Sequence, residues 1–199
     1  MKQYTIKRFA GDWSQIPVID IDTMYLDTPD TIKAWAQIAY DDKGVLVHQW
    51  TVEENYLAVE TGELGEPCKD SCLEFFFAMD PEDPRYINIE FNPNGCIFLG
   101  LGKNGNNPVL ARMLVSVDEV FAPQINREDK GWEITYCVPY SFITMFFPNF
   151  KAEPGKVIHA NVYKCADLSQ PPHYLSWNSL NPGPLSFHRR ECFGTMQFE

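Results

Sequence analysis

Apolar residues recur along this chain in short runs of strand length, separated by turn residues, with one helix-like exception. Strands are expected over about Tyr4–Phe9, Thr31–Tyr40 and Val45–Val52, with Asp41-Asp42-Lys43-Gly44 as a hairpin turn between the last two. Beyond a polar loop holding Gly62, Gly65 and Pro67, Cys72–Met79 and Tyr86–Asn92 form a pair across the acidic Asp80–Pro84 turn. Pro93-Asn94-Gly95 then turns the chain into Cys96–Leu101. Later strands are expected at about Leu114–Pro123, Trp132–Val138, Val157–Tyr163, His173–Trp177 and Phe193–Phe198. The exception is Pro139–Phe147, a short helix opened by proline and stopped by Pro148. So many short strands and so little helix predict an all-β antiparallel sandwich over residues 1–199 as one domain.

Alternation assigns faces. Leu73, Phe75, Phe77 and Met79 point one way and Glu74 the other; Ile87, Ile89 and Phe91 oppose Asn88, Glu90 and Asn92. In Trp132–Val138, Trp132, Ile134, Tyr136 and Val138 oppose Glu133 and Thr135, and in Val157–Tyr163 Asn161 and Tyr163 oppose Ala160 and Val162. Pairing the two central segments puts Glu74, Asn88 and Glu90 together on a face turned away from the core, a surface suited to a hydroxyl-rich ligand.

Composition narrows the partners. The 199 residues are 45% hydrophobic and 14% aromatic, enough for a sizeable core. Sixteen basic against 27 acidic residues give a net charge of −11, which repels nucleic acid and anionic lipid surfaces and leaves cations and neutral ligands as partners. No apolar run approaches the roughly 18 residues that a membrane span requires. The first residues lack the apolar core of a secretory leader, so a cytoplasmic location is expected for the chain as it stands and secretion only for a form whose leader was removed. The six cysteines are scattered through strand-like runs and are expected to be free thiols; Cys68 and Cys72 alone, with no second pair or nearby histidine, make a poor zinc signature.

Four stretches carry a resemblance. Asp70-Ser71-Cys72-Leu73-Glu74-Phe75-Phe76-Phe77, Tyr86–Asn92, Gly131-Trp132-Glu133-Ile134 and Ser176-Trp177, in this order and spacing, resemble the family 9 carbohydrate-binding modules. Asn161–Asp167, His173–Trp177 and Phe187-His188…Phe193-Gly194 are similar to the stand-alone bacterial branch of that family. The resemblance spans nearly the whole chain and implies a jelly-roll or DOMON-like sandwich that binds a mono- or oligosaccharide without turning it over. It also implies an aromatic platform at Trp177 and a hydroxyl-reading acid at Glu74. The second tryptophan of the family falls here on Pro67 or Cys68, and an expected arginine falls at about Asn88. Trp50 is a candidate replacement platform. Some relatives hold structural calcium; no D-x-D-x-D-G loop occurs here, so no cofactor is expected, with structural calcium as the weaker alternative.

Sugars present C–H groups on a ring face and hydroxyls at the rim, so an aromatic plate and planar amide or carboxyl groups together recognise them. Trp177 ends a strand beside a Pro/Asn/Gly-rich loop and is the expected plate, with filling the core edge as its alternative role. Glu74, Asn88, Glu90 and Asn161 are candidate hydroxyl readers, and Lys164 and His173 flank the Ser169–Pro172 loop as candidate donors. Other chemistries find less in the sequence. Glu74 and Glu90 are the pair a glycoside hydrolase would use. Cys165 with His173 lacks a nucleophile motif, and haem would need Met and His ligands without a c-type attachment sequence. The Gly100–Gly105 run reads as a turn into Asn107-Pro108, not as a phosphate loop. A protein-interaction scaffold is the remaining class.

Overall fold

The computed structural model describes residues 1–105 and 108–199, so the Asn107-Pro108 step falls partly outside the described residues. In chain order the strands are β1 (Gln3–Arg8), β2 (Ile19–Asp20), β3 (Thr23–Tyr25), β4 (Lys33–Tyr40) and β5 (Gly44–Val52). Next come β6 (Cys72–Ala78), β7 (Arg85–Phe91), β8 (Ile97–Lys103), β9 (Val109–Met113) and β10 (Gln124–Glu128). The series closes with β11 (Gly131–Pro139), β12 (Val157–Ala166), β13 (His173–Ser176) and β14 (Gly194–Phe198). Two short helices, α1 (Val117–Val120) and α2 (Tyr140–Phe146), interrupt them.

The strands form two layers. One has the order β14-β12-β6-β7-β8-β9, with β13 on β12 and β3 on β13; the other runs β10-β11-β5-β4, with β2 on β4. Strand β1 joins the layers at a corner: Gln3–Ile6 run parallel to β14, and Lys7 and Arg8 run parallel to β4. The remaining pairings are antiparallel, as expected for an all-β sandwich.

Alternation decides what fills the space between the layers. Leu73, Phe75, Phe77, Ile87, Ile89 and Phe91 of the first sheet meet Ile38, Val45, Val47, Trp132, Ile134 and Val138 of the second in one continuous core. Each fully buried side chain of this size contributes about 1.5–3 kcal/mol. The first sheet is buried on its outer face as well. Segment 178–193 folds back over it, and Leu180 and Phe193 pack with Phe76, Tyr86 and Tyr163 in a second apolar cluster. Every residue of β6 is therefore buried, in keeping with a run that is apolar at every position but Glu74.

Two glycines of β8 permit this covering. An added Cβ at Gly102 would clash with Tyr86 Cζ, and one at Gly100 would clash with Asn88 Oδ1. Both side chains of β7 thus lie flat across β8. Gly102→Ala is expected to destabilise the fold by about 1–3 kcal/mol through overpacking, read as a fall in thermal midpoint. An unchanged midpoint would mean that the Tyr86 ring moves aside freely.

Two expectations are corrected. The strand expected over Leu114–Pro123 does not form; Val117, Val120 and Phe121 have i, i+3, i+4 spacing and turn inward as α1. Two strands, β9 and β10, flank it instead, and both are largely exposed edge strands with weak apolar patterning. The glycine run expected to turn at Gly100 continues as β8 through Lys103. The Asp41 and Asn92 turns form as expected: Asp41 Oδ1 accepts from Lys43 N and Gly44 N, and Asn92 Oδ1 accepts from Asn94 N and Cys96 N.

Candidate functional site

The covering of the outer face is incomplete, and where it stops a cleft of about 320 Å³ opens. Its floor is the first sheet. Cross-strand register sets Glu74 on β6 opposite Glu90 on β7, and Phe76 opposite Asn88, so the polar face predicted from alternation exists. Its walls are Phe98 and Leu110 on one side and Tyr174, Leu185 and Phe187 on the other, with Asp167 and His188 at the rim.

Each wall is held by a specific contact. Phe187 stacks on the buried ring of Tyr163 at 4.1 Å and 9°, and Tyr163 Oη donates to Phe187 O at 3.1 Å. The Arg112 guanidinium lies 4.9 Å over Phe98 and donates to Glu63 O, Gly65 O and Ile97 O, which ties the Gly62–Gly65 loop to the sheet. His188 is fixed by Tyr86 through Nδ1 at 2.9 Å, and burial holds its pKa below the usual value.

The acids on the floor differ from surface carboxylates. Burial holds both Glu74 and Glu90 above the usual carboxylate range, and the Glu90 charge raises Glu74 further. Glu74 accepts from Cys165 Sγ at 2.9 Å, and Glu90 Oε1 accepts from Asn88 Nδ2 at 2.7 Å. Asn88 Oδ1 is buried without a partner. Apolar walls above a floor of carboxyl groups suit a neutral ligand with ring C–H faces and hydroxyls.

Other predicted site residues are placed elsewhere. Trp177, the expected plate, is 4% exposed and belongs to the inter-sheet core, edge-on to Tyr4 at 6.4 Å and close against Gly194. The alternation that turns Tyr174 and Ser176 outward sends Trp177 inward with Leu175, so no ring face is left for a ligand. Lys164 and His173 are likewise inside, where Lys164 Nζ meets Glu53 Oε2 at 2.9 Å and His173 Nε2 meets Glu53 Oε1 at 3.2 Å. Ser71 Oγ donates to the same carboxylate and receives Trp132 Nε1–H, which completes a buried network between the sheets. Asn161 is on the outer face but spends its amide on Asn178: Nδ2 donates to Asn178 O, and Oδ1 accepts from Asn178 N and Val162 N. Trp50 lies on the opposite sheet, stacked with Trp35 at 5.9 Å and with His48 at 4.7 Å, remote from the cleft. Phe98, Tyr174, Phe187 and His188 carry the walls, and no periodicity marks the last two in their Pro/Gly-rich loop.

Fold and cleft together define a β-sandwich binding domain. The family model described as carbohydrate-binding family 9 matches residues 11–198, and the chain belongs to that family. Among solved structures, a putative carbohydrate-binding protein from Bacteroides uniformis is similar at 24% identity, covering 100% of this chain and 99% of that one with a TM-score of 0.82. A family 9 carbohydrate-binding module from Caldicellulosiruptor kristjanssonii is similar at 8% identity and a TM-score of 0.70 in complexes with glucose and with cellotriose, which cover 100% of this chain and 96% and 94% of those chains. No curated protein matches the chain. Among the described residues, no helix is long and apolar enough to cross a membrane.

Proposed function

We propose that this domain binds a glucose-type mono- or oligosaccharide in the cleft over the first sheet, without catalysing its conversion. The observation that carries the reading is the coincidence in one cleft of aromatic walls and a buried polar floor, in a chain of carbohydrate-binding family 9. Phe187, backed by Tyr163, serves as the plate for a ring face, and Tyr174 and Phe98 close the sides. Glu90 and His188, both in the cleft lining, read the hydroxyls: the carboxyl of Glu90 accepts or donates according to its proton, and the buried Asn88 amide behind it holds that carboxyl in place. The module from Caldicellulosiruptor kristjanssonii, solved with glucose and cellotriose, supports the sugar class and nothing finer.

Glycoside hydrolysis by Glu74 and Glu90 is less favoured. Both carboxyls are buried and already engaged by neighbours on their own sheet. Calorimetric titration with glucose and cellotriose tests the binding reading. Phe187→Ala is expected to weaken binding by about tenfold, or roughly 1.4 kcal/mol, with the thermal midpoint little changed. Equal affinity in the variant and the parent would remove Phe187 from the site.

A further inference from the structure

The floor of the cleft holds a second group of side chains that sugar recognition does not explain. Cys72 and Glu74 alternate on β6 and so share its outer face, and Cys165 stands directly opposite Cys72 on β12. The two sulfurs and a Glu74 oxygen lie within 4.8 Å of one another, and all three residues are buried. We propose that Cys72, Cys165 and Glu74 form a binding site for a soft divalent cation, zinc first among them, whose fourth position opens onto the cleft.

The donor chemistry sets the choice of ion. Thiolates select zinc and other soft ions over calcium or magnesium, which take oxygen ligands. Zinc bonds sulfur at about 2.3 Å and carboxylate oxygen at about 2.0–2.2 Å, so neighbouring donors around a tetrahedral ion stand about 3.4–3.8 Å apart. The three donor atoms stand within 4.8 Å of one another, close to that spacing, on strands whose register is already fixed. Three protein ligands and an open position are the arrangement of zinc sites that take an external ligand. Access is present as well, since Glu74 and Cys165 both line the cleft. Cys165 Sγ already donates to Glu74, and a second buried carboxyl, Glu90, stands across the register, so the donors are held together at the cleft floor. The cations near it are committed, with Lys164 turned to the other face of the sheet and paired to Glu53. Sequence spacing cannot show this site, because its third donor comes from a strand about ninety residues further on. The site does not depend on the cleft taking sugar.

Equilibrium dialysis of the reduced chain, residues 1–199, against zinc is expected to give one ion per chain. Cadmium in its place is expected to give a thiolate-to-metal ultraviolet band. Cys72→Ser and Cys165→Ser are each expected to raise the Kd by roughly a hundredfold, whereas Cys137→Ser on the second sheet leaves it unchanged. Cadmium NMR of the unsubstituted chain provides a readout that needs no variant to fold, and a signal typical of two sulfur ligands supports the site. An oxygen-only cadmium signal, or reduced chain that takes up no ion at equimolar zinc, overturns it.

Discussion

Lys164→Met is expected to lower stability at neutral pH by about 3–5 kcal/mol, because it leaves the Glu53 carboxylate buried between the sheets without its cation. Burial by itself would push Glu53 upward. The Lys164 charge and the hydrogen bonds from His173 and Ser71 outweigh that and bring its pKa down to about 2 from an ordinary 4.5. A depressed carboxyl means that the unfolded chain binds more protons than the folded one between those two values. The contribution is therefore complete above about pH 4.5 and is lost as pH falls toward about 2, amounting to about 3 kcal/mol. Denaturant unfolding from pH 7 to pH 2.5 should show this decline in the parent and a flatter acid limb in Lys164→Met. The double substitution Glu53→Leu with Lys164→Met is expected to recover most of the loss, since replacing a buried pair by apolar residues is often near neutral. His173 and Ser71 then lose their acceptor, so recovery stays incomplete. If Lys164→Met unfolds at the same denaturant concentration as the parent at pH 7, the network contributes little to stability.

This network also shows how far the sequence could be read. Faces within each strand were legible, because a two-residue period needs only the strand itself: Glu74, Asn88 and Glu90 do share one surface. The hairpins at Asp41 and Asn92 were legible because the turn residues hold their own loops. What alternation cannot report is which outer face gets covered. The outer face of β6 carries Cys72, Phe76 and Ala78 around Glu74, and segment 178–193 covers it from the far end of the chain. For the same reason Lys164, an even-numbered residue among Val162 and Ala166, is inward by the very rule that places Asn161 outward. Its polarity suggested a ligand contact, but a cation can occupy an inward position when an acid from a different sheet meets it. Glu53 follows the last residue of β5 in a run, Val52-Glu53-Glu54-Asn55, that looks like an ordinary solvated turn. A similar step separates Trp177 from the cleft, since the aromatic residue that lines it from β13 is Tyr174, three positions earlier.

Trp177→Ala then separates a core role from a ligand role. The indole is packed between the sheets against Tyr4 and Gly194, and its backbone N–H donates to Val162 O, so truncation leaves a cavity that the neighbouring strands cannot close. A cost of about 3–5 kcal/mol is expected, which for a chain of this size lowers the thermal midpoint by roughly 6–20 °C. Affinity for sugar, measured by calorimetry well below that midpoint, should stay within about twofold of the parent, because no atom of the indole reaches the cleft lining. Trp177→Phe keeps part of the volume and should lie between the two in stability, with affinity again unchanged. This ordering follows from the parity of β13: Tyr174 and Trp177 differ by an odd number of residues and cannot share a face of one regular strand. A variant that loses sugar binding while its melting curve stays that of the parent would return Trp177 to the ligand, and would require the chain to turn Trp177 outward directly after β13.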